Sequence, residues 1–226
     1  MPVYVFQRFD VIGGGRGRLV EMIRSRCAAH LEDEYGVRLV GVWATAGSTA
    51  SWPEANALWE MDDWEHFARA QQAQFPREDK DPYGVELGRH CLAWQSGGES
   101  ALLVGAPFSP PLARLRADGI EAQVVLLENV KSKPGGMDAY HRALEFDYLP
   151  IARSRGLRLL GAYRHALSPN RGLNLWALQS WEHARDLMES EDGHDALQEW
   201  NAELGDLLED AEGWLLAPPP QGLLRT

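Results

Sequence analysis

The period of the apolar positions changes along the chain, and it changes in the same order twice. Val3 to Phe9 is rich in β-branched and aromatic residues, as a strand requires, and Gln123 to Asn129 is its counterpart. A glycine-rich turn follows each, Gly13-Gly14-Gly15 and Pro134-Gly135-Gly136. The period then lengthens. Leu19, Ile23, Cys27 and Leu31 recur every four residues with Val20 alongside, which makes one apolar stripe on a helix. Met137, Tyr140, Leu144 and Tyr148 do the same in the second half, where Pro150 is expected to disturb the helix end. Gly36 and Gly156 stand where a left-handed residue caps such a helix. Strands are expected at 37–44 and 157–164, then at 55–61 and 173–178, each pair joined by a loop as a long hairpin. Trp64 and Trp181 open further helices, with Asp62 and Ser180 at or near their N-caps. A last helix carries Leu87 and Cys91, or Trp200 and Leu204, and short final strands are expected at 101–104 and 214–216.

The echo is also literal. Gly36-Val37-Arg38-Leu39-Val40-Gly41-Val42-Trp43 matches Gly156-Leu157-Arg158-Leu159-Leu160-Gly161-Ala162-Tyr163 at a spacing of 120. Leu58-Trp59 followed by Trp64-Glu65-His66 matches Leu175-Trp176 followed by Trp181-Glu182-His183 at 117, and Leu87, Cys91 and Leu102-Leu103 match Trp200, Leu204 and Leu215-Leu216 at 113. Tryptophan is rare, so chance explains the Leu-Trp-x4-Trp-Glu-His block poorly, and an internal repeat decides the fold. The order is β-α-β-β-α-β, twice, the ferredoxin-like plan. The expected class is therefore α+β: a first unit over 1–106, a Pro-rich linker over 107–120 with a short helix at 112–117, and a second unit over 121–226. Each sheet buries one face under its helices, and the two sheets are expected to cover each other's second face.

Composition narrows the function by exclusion. The 226 residues hold 22 Lys and Arg against 33 Asp and Glu, a formal net charge of −11. That balance argues against a phosphate-backbone binder, so no nucleic-acid partner is expected. No run of 18 apolar residues offers a membrane span, and charges near the N-terminus fit no signal peptide. A cytoplasmic location is expected, and Cys27 and Cys91, without CxxC spacing, are not expected to form a structural disulfide.

The strand–helix–Gly-strand order, the Trp-bearing third strand followed by a helix, and the late Leu-Leu strand resemble the NIPSNAP family, in tandem copies. The resemblance implies the fold of the dimeric α+β barrel superfamily and allows a homodimer, although the duplication can already meet that need within one chain. It implies little chemistry. Relatives in the superfamily include cofactor-free monooxygenases, polyketide cyclases, EthD-like proteins and haem enzymes such as the chlorite dismutases, and fold alone cannot choose among them.

The residues themselves offer candidates. At a spacing of 120, Trp43 becomes Tyr163 and Thr45 becomes His165, and alternation puts Gly161, Tyr163 and His165 on one strand face. Tyr163 and His165 are the candidate catalytic pair, able to bind and polarise a phenol or carbonyl in a sheet–helix pocket. Tyr140 and His141 on the covering helix, with Trp43 and Trp176 as apolar walls, are the candidate substrate contacts. The same spacing pairs Arg8 with Glu128. Gly13 to Arg18 could cradle an anion but fails G-x-G-x-x-G at Arg18, and a flexible turn explains it better. His66 and His183 could cap a pocket or act as bases, and a structural role explains both more simply. The seven histidines make no metal motif, and no metal or cofactor is expected. A single proximal haem ligand has no signature, which leaves His183 or His194 able to serve. There is no G-x-S-x-G. The first expectation is a small-molecule enzyme or binding protein of secondary metabolism or detoxification, taking an aromatic or polyketide-like compound for cofactor-free oxygenation or cyclisation. The alternative is a non-catalytic interaction module, and the third is a haem-binding protein.

Overall fold

A stripe repeating every four residues outruns a regular α-helix, which turns every 3.6 residues, by about one residue over three turns. The chain absorbs that residue in a π-helical turn. In the computed structural model, which describes residues 1–46, 49, 54–74, 81–189 and 195–219, helix α1 runs Arg16–Met22, then the π turn Ile23–Cys27, then Ala28–Tyr35. The extra residue in the turn keeps Leu19, Ile23, Cys27 and Leu31 facing the sheet. The second half does the same. Its helix runs Met137–Ala143, the π turn Leu144–Tyr148, then Leu149–Ser154. Pro150 therefore does not disturb this helix. It sits just past the π turn, whose wide ring is closed by Leu149 N–H to Leu144 O, and the chain stays helical to Ser154.

Two compact units result, Met1–Leu103 with the segment from Ala217, and Val104–Leu216. The first contains β1 (Val3–Val11), α1, β2 (Arg38–Thr45), β3 (Glu54–Met61), α2 (Trp64–Gln74), α3 (Pro82–Leu92) and most of β4 (Gln95–Gly105). Its sheet runs β2–β3–β1–β4. The second contains α4 (Leu112–Ala117), β5 (Val124–Ser132), α5 (the Met137 to Ser154 run), β6 (Arg158–His165), β7 (Arg171–Leu178), α6 (Trp181–Glu189), α7 (Asp195–Leu207) and β8 (Leu208–Ala217). Its sheet runs β6–β7–β5–β8. This is the expected α+β order in each copy, and the final strands are far longer than the short Leu-Leu runs suggest. Gly36 and Gly156 take the left-handed cap, at φ 68° and 81°.

Register sets which side chains share a face. Gln7 lies opposite Ala57 and Glu128 opposite Asn174. Since Ala57 and Asn174 are equivalent, Glu128 corresponds to Gln7 and not to Arg8. The copies are 121 residues apart at their first strands and π turns, and 120 apart at the glycine caps. One residue is lost between: eight residues separate the π turn from the glycine cap in the first copy and seven in the second. Arg8 instead faces Glu54 and Glu99 within its own unit. A bulge between Leu39 and Gly41 recurs between Leu159 and Gly161. The N-cap also moves by one: Asp63, not Asp62, accepts from His66 N–H, as Ser180 accepts from His183 N–H.

Candidate functional site

In each unit a tryptophan of the third strand meets a polar residue of the first strand beneath the helices. In the first unit Trp59 Nε1–H donates to Gln7 Oε1 at 2.8 Å. In the second, Trp176 Nε1–H donates to Glu128 Oε2 at 2.7 Å. A buried indole N–H needs an acceptor, so the first strand supplies a polar residue where its pattern is otherwise apolar. The identity of that residue separates the copies: an amide in one, a carboxylate in the other.

The second unit builds on the carboxylate. Asn174 Nδ2–H donates to Glu128 Oε2 at 3.1 Å and to Tyr140 Oη at 2.6 Å. Asn174 is fully buried, and its Oδ1 has no hydrogen-bond partner among the described residues. Leaving such an acceptor unsatisfied costs about 1–3 kcal/mol. Tyr140 is almost fully buried as well. Burial first, and the charge of Glu128 second, hold its phenol well above the usual range, so it keeps its proton as a donor. Aromatic rings pack beside this network. Tyr148 meets Trp176 edge-on at 5.4 Å between centroids and stacks on Trp200 at 5.0 Å and 19°.

The first unit has the same walls made smaller. Cys27 stands where the second copy has Tyr148, Leu87 where it has Trp200, Leu19 where it has Tyr140 and Ala57 where it has Asn174. The result is a cavity of about 150 Å³ lined by Gln7, Phe9, Trp59, Leu87, Cys27 and Cys91 among others. His30 also lines it, with Nε2 2.9 Å from Asp81 Oδ2, which accepts from Tyr35 Oη as well.

Among the six residues singled out by sequence, the structure brings Tyr140 and Trp176 into one hydrogen-bonded network, linked through Asn174 and Glu128. Tyr163 and His165 lie elsewhere. Ala162 pairs with Asn174, which faces the helices, so Tyr163, opposite Leu173, faces the other side of the sheet. The Tyr163 ring is fully buried above Gly161, and a Cβ on that glycine would lie 2.0 Å from its hydroxyl. His165 shares that face, half-buried, and burial and Arg171 lower its basicity. Trp43 covers Gly41 in the same way in the first unit. His141 sits beside Tyr140 but turns to Phe108 and the Tyr163 backbone, and burial first, then Arg164, pull its pKa down to about 4. The expected single sheet–helix pocket for all six therefore does not form, because alternation splits them between two faces.

Two other expectations meet a clear geometry. His66 and His183 are braces: Nδ1 accepts from the backbone N–H of Asp62 or Gln179, and Nε2 donates to the carbonyl of Tyr35 or Arg155 at the preceding helix end. With both ring nitrogens engaged, His183 is not placed to ligate haem iron. His194 lies outside the described residues, as do 47, 48 and 50–53 of the first hairpin loop. Glu128, Asn174, Tyr148 and Trp200 are the site residues that sequence reasoning passed over. A carboxylate on the strand face otherwise formed by Val124, Leu126 and Val130, and an amide inside the otherwise apolar run Leu173 to Leu178, were the available signal.

Comparison with known proteins places the fold and stops there. No protein-family model matches the chain, and no curated protein matches it in sequence. Among solved structures, a candidate monooxygenase from Lactobacillus acidophilus aligns over 100% of this chain and 99% of its own, at 11% identity and a TM-score of 0.59. An anthrone oxidase-like protein aligns over 100% and 96%, at 9% identity and a TM-score of 0.62. An uncharacterised NIPSNAP domain protein from Burkholderia xenovorans aligns over 48% of this chain and 99% of its own, at 19% identity and a TM-score of 0.39. The full-length matches share the fold, which is of the dimeric α+β barrel type. No described helix is long and apolar enough to cross a membrane.

Proposed function

We propose that the second unit binds a small hydroxylated aromatic compound between its sheet and helices and takes up the proton of that hydroxyl. The observation that carries the reading is Asn174 Oδ1, buried and without a hydrogen-bond partner among the described residues, beside the aromatic cluster of Trp176, Tyr148 and Trp200. A phenol or enol hydroxyl donating there would recover the free energy an orphaned acceptor loses. Glu128, a carboxylate held in place by the Trp176 and Asn174 N–H groups, is the base: the hydroxyl, anchored first on Asn174 Oδ1, rotates to the neighbouring carboxylate and gives its one proton to it. Tyr140, which keeps its proton, donates to the oxyanion as it forms. In this reading the fold relatives described as a monooxygenase candidate and as anthrone oxidase-like are informative in one respect. Oxygenation of an electron-rich phenolate by dioxygen and ring closure by an enolate both begin with the same proton step. Tyr163 and His165 take no part, being on the other sheet face.

A second reading follows from the Tyr148–Trp200 stack, which already fills part of the space. If that packing never opens, the network is structural and the protein is a non-catalytic binding module. 4-Nitrophenol separates the two, because its visible spectrum reports whether it is phenol or phenolate. Binding is expected by calorimetry, with the spectrum shifting to phenolate in the native protein. Glu128→Gln should bind without the shift, and Asn174→Ala should weaken binding about tenfold. No binding, or binding indifferent to both substitutions, would favour the second reading.

A further inference from the structure

The first unit carries a pair of groups that the proposed proton chemistry does not use. Cys27, in the π turn of α1, and Cys91, near the end of α3, are 64 residues apart in sequence, yet their sulfurs lie 3.7 Å from each other. They are not disulfide-bonded, and both are partly exposed. Both line the 150 Å³ cavity, which opens to solvent between α1 and α3. We propose that Cys27 and Cys91 form an oxidisable dithiol, a site where a small peroxide converts the pair to a disulfide across the wall of this cavity. The inference is independent of any ligand in the second unit.

The sulfur–sulfur distance must shrink from 3.7 Å to about 2.05 Å. The chemistry balances in two steps. The Cys91 thiolate attacks one peroxide oxygen: an S–O bond forms, the O–O bond breaks, and the second oxygen leaves with a proton as water or an alcohol. The Cys27 sulfur then attacks the sulfenic sulfur of Cys91: an S–S bond forms, the S–O bond breaks, and hydroxide leaves with the Cys27 proton as water. Two thiols are oxidised and one peroxide is reduced. Cys91 is assigned as the attacking sulfur because its hydrogen bond with Cys27 favours the thiolate. The second copy has Tyr148 and Leu204 at these positions, so the site belongs to the first unit alone.

The test treats the full-length native protein with one equivalent of hydrogen peroxide and follows intact mass, with iodoacetamide labelling after denaturation. The expected product is a monomer about 2 Da lighter that takes up no label and regains two labels after reduction. Oxidation of the native chain should be at least tenfold faster than of the urea-unfolded chain. Cys27→Ser should stop at a sulfenic acid on Cys91 that dimedone traps. A covalent dimer, two thiols still labelled after treatment, or equal rates in native and unfolded chains would overturn the proposal, and none of the three needs a variant to fold.

Discussion

The two sheet–helix spaces of this protein share one scaffold and differ in what fills it. Both have a π turn at the same place in the first helix, both bond a Trp indole to a polar residue on the first strand, and both rest on a His-braced helix end. In the first copy the polar residue is Gln7, the fillers are Cys27 and Leu87, and a cavity remains. In the second it is Glu128, joined by Asn174 and Tyr140 and walled by Tyr148 and Trp200. Duplication kept the parts that hold the fold and released the parts that line the space. Differences between copies therefore point to function better than matches do.

That contrast can be broken from either side. Converting the second unit's filling into the first's, with Tyr148→Cys and Trp200→Leu together, should cost about 4 kcal/mol in urea unfolding, since a buried ring and the half-buried ring stacked on it are lost. A loss under about 1 kcal/mol would mean the stack packs poorly and the copies differ less than they look. The shared scaffold is tested next. Gly161→Ala puts a Cβ 2.0 Å from the Tyr163 hydroxyl, inside a fully buried site. It should cost about 3 kcal/mol, and Gly41→Ala, beneath Trp43, about the same.

The third effect is confined to one copy. His141 is held neutral by burial, with a pKa of about 4, while the unfolded imidazole titrates near 6.5. Below 6.5 the unfolded chain binds a proton that the folded chain refuses, so stability falls as pH drops from 6.5 toward 4. The loss should be about 2 kcal/mol by pH 4.5. The first copy has Val20 at this position, so His141→Val should remove that slope from a melting-temperature profile. Filling the first space with Cys27→Tyr and Leu87→Trp is smaller still, within about 1 kcal/mol of neutral, because the cavity already exists. A larger penalty would show that the 150 Å³ is shaped for something other than rings. Last, Glu128→Gln copies Gln7 into the second unit. It keeps an acceptor for Trp176 and should change stability by less than about 1 kcal/mol. It should also let the Tyr140 phenol fall toward its ordinary range, because the Glu128 charge, one of the causes that raise it, is gone.

Much of the scaffold was legible in sequence. The Leu-Trp-x4-Trp-Glu-His block, the glycine caps and the four-residue stripe each carry a local rule, and the structure obeys them, the stripe through its π turn. The site was less legible, for two physical reasons. One lost residue in the last segment of α5 shifts the repeat spacing from 120 to 121, which hid the equivalence of Gln7 and Glu128. And β3 and β7 are buried along almost their whole length, so alternation says which residues share a face without saying which face the helices cover. Gly161, Tyr163 and His165 do share a face, as expected. It is the face away from the helices, and tertiary packing alone decides that.

The most direct measurement follows two indole N–H signals. With the tryptophans labelled with ¹⁵N, Trp59 and Trp176 report the two spaces from the same structural position, and Trp59→Phe and Trp176→Phe assign their peaks. On titration with 4-nitrophenol, the account predicts that the Trp176 signal shifts to saturation while the Trp59 signal stays in place. A shift of Trp59 alone would move the binding site to the first copy, and no shift of either would contradict aromatic binding between sheet and helices altogether.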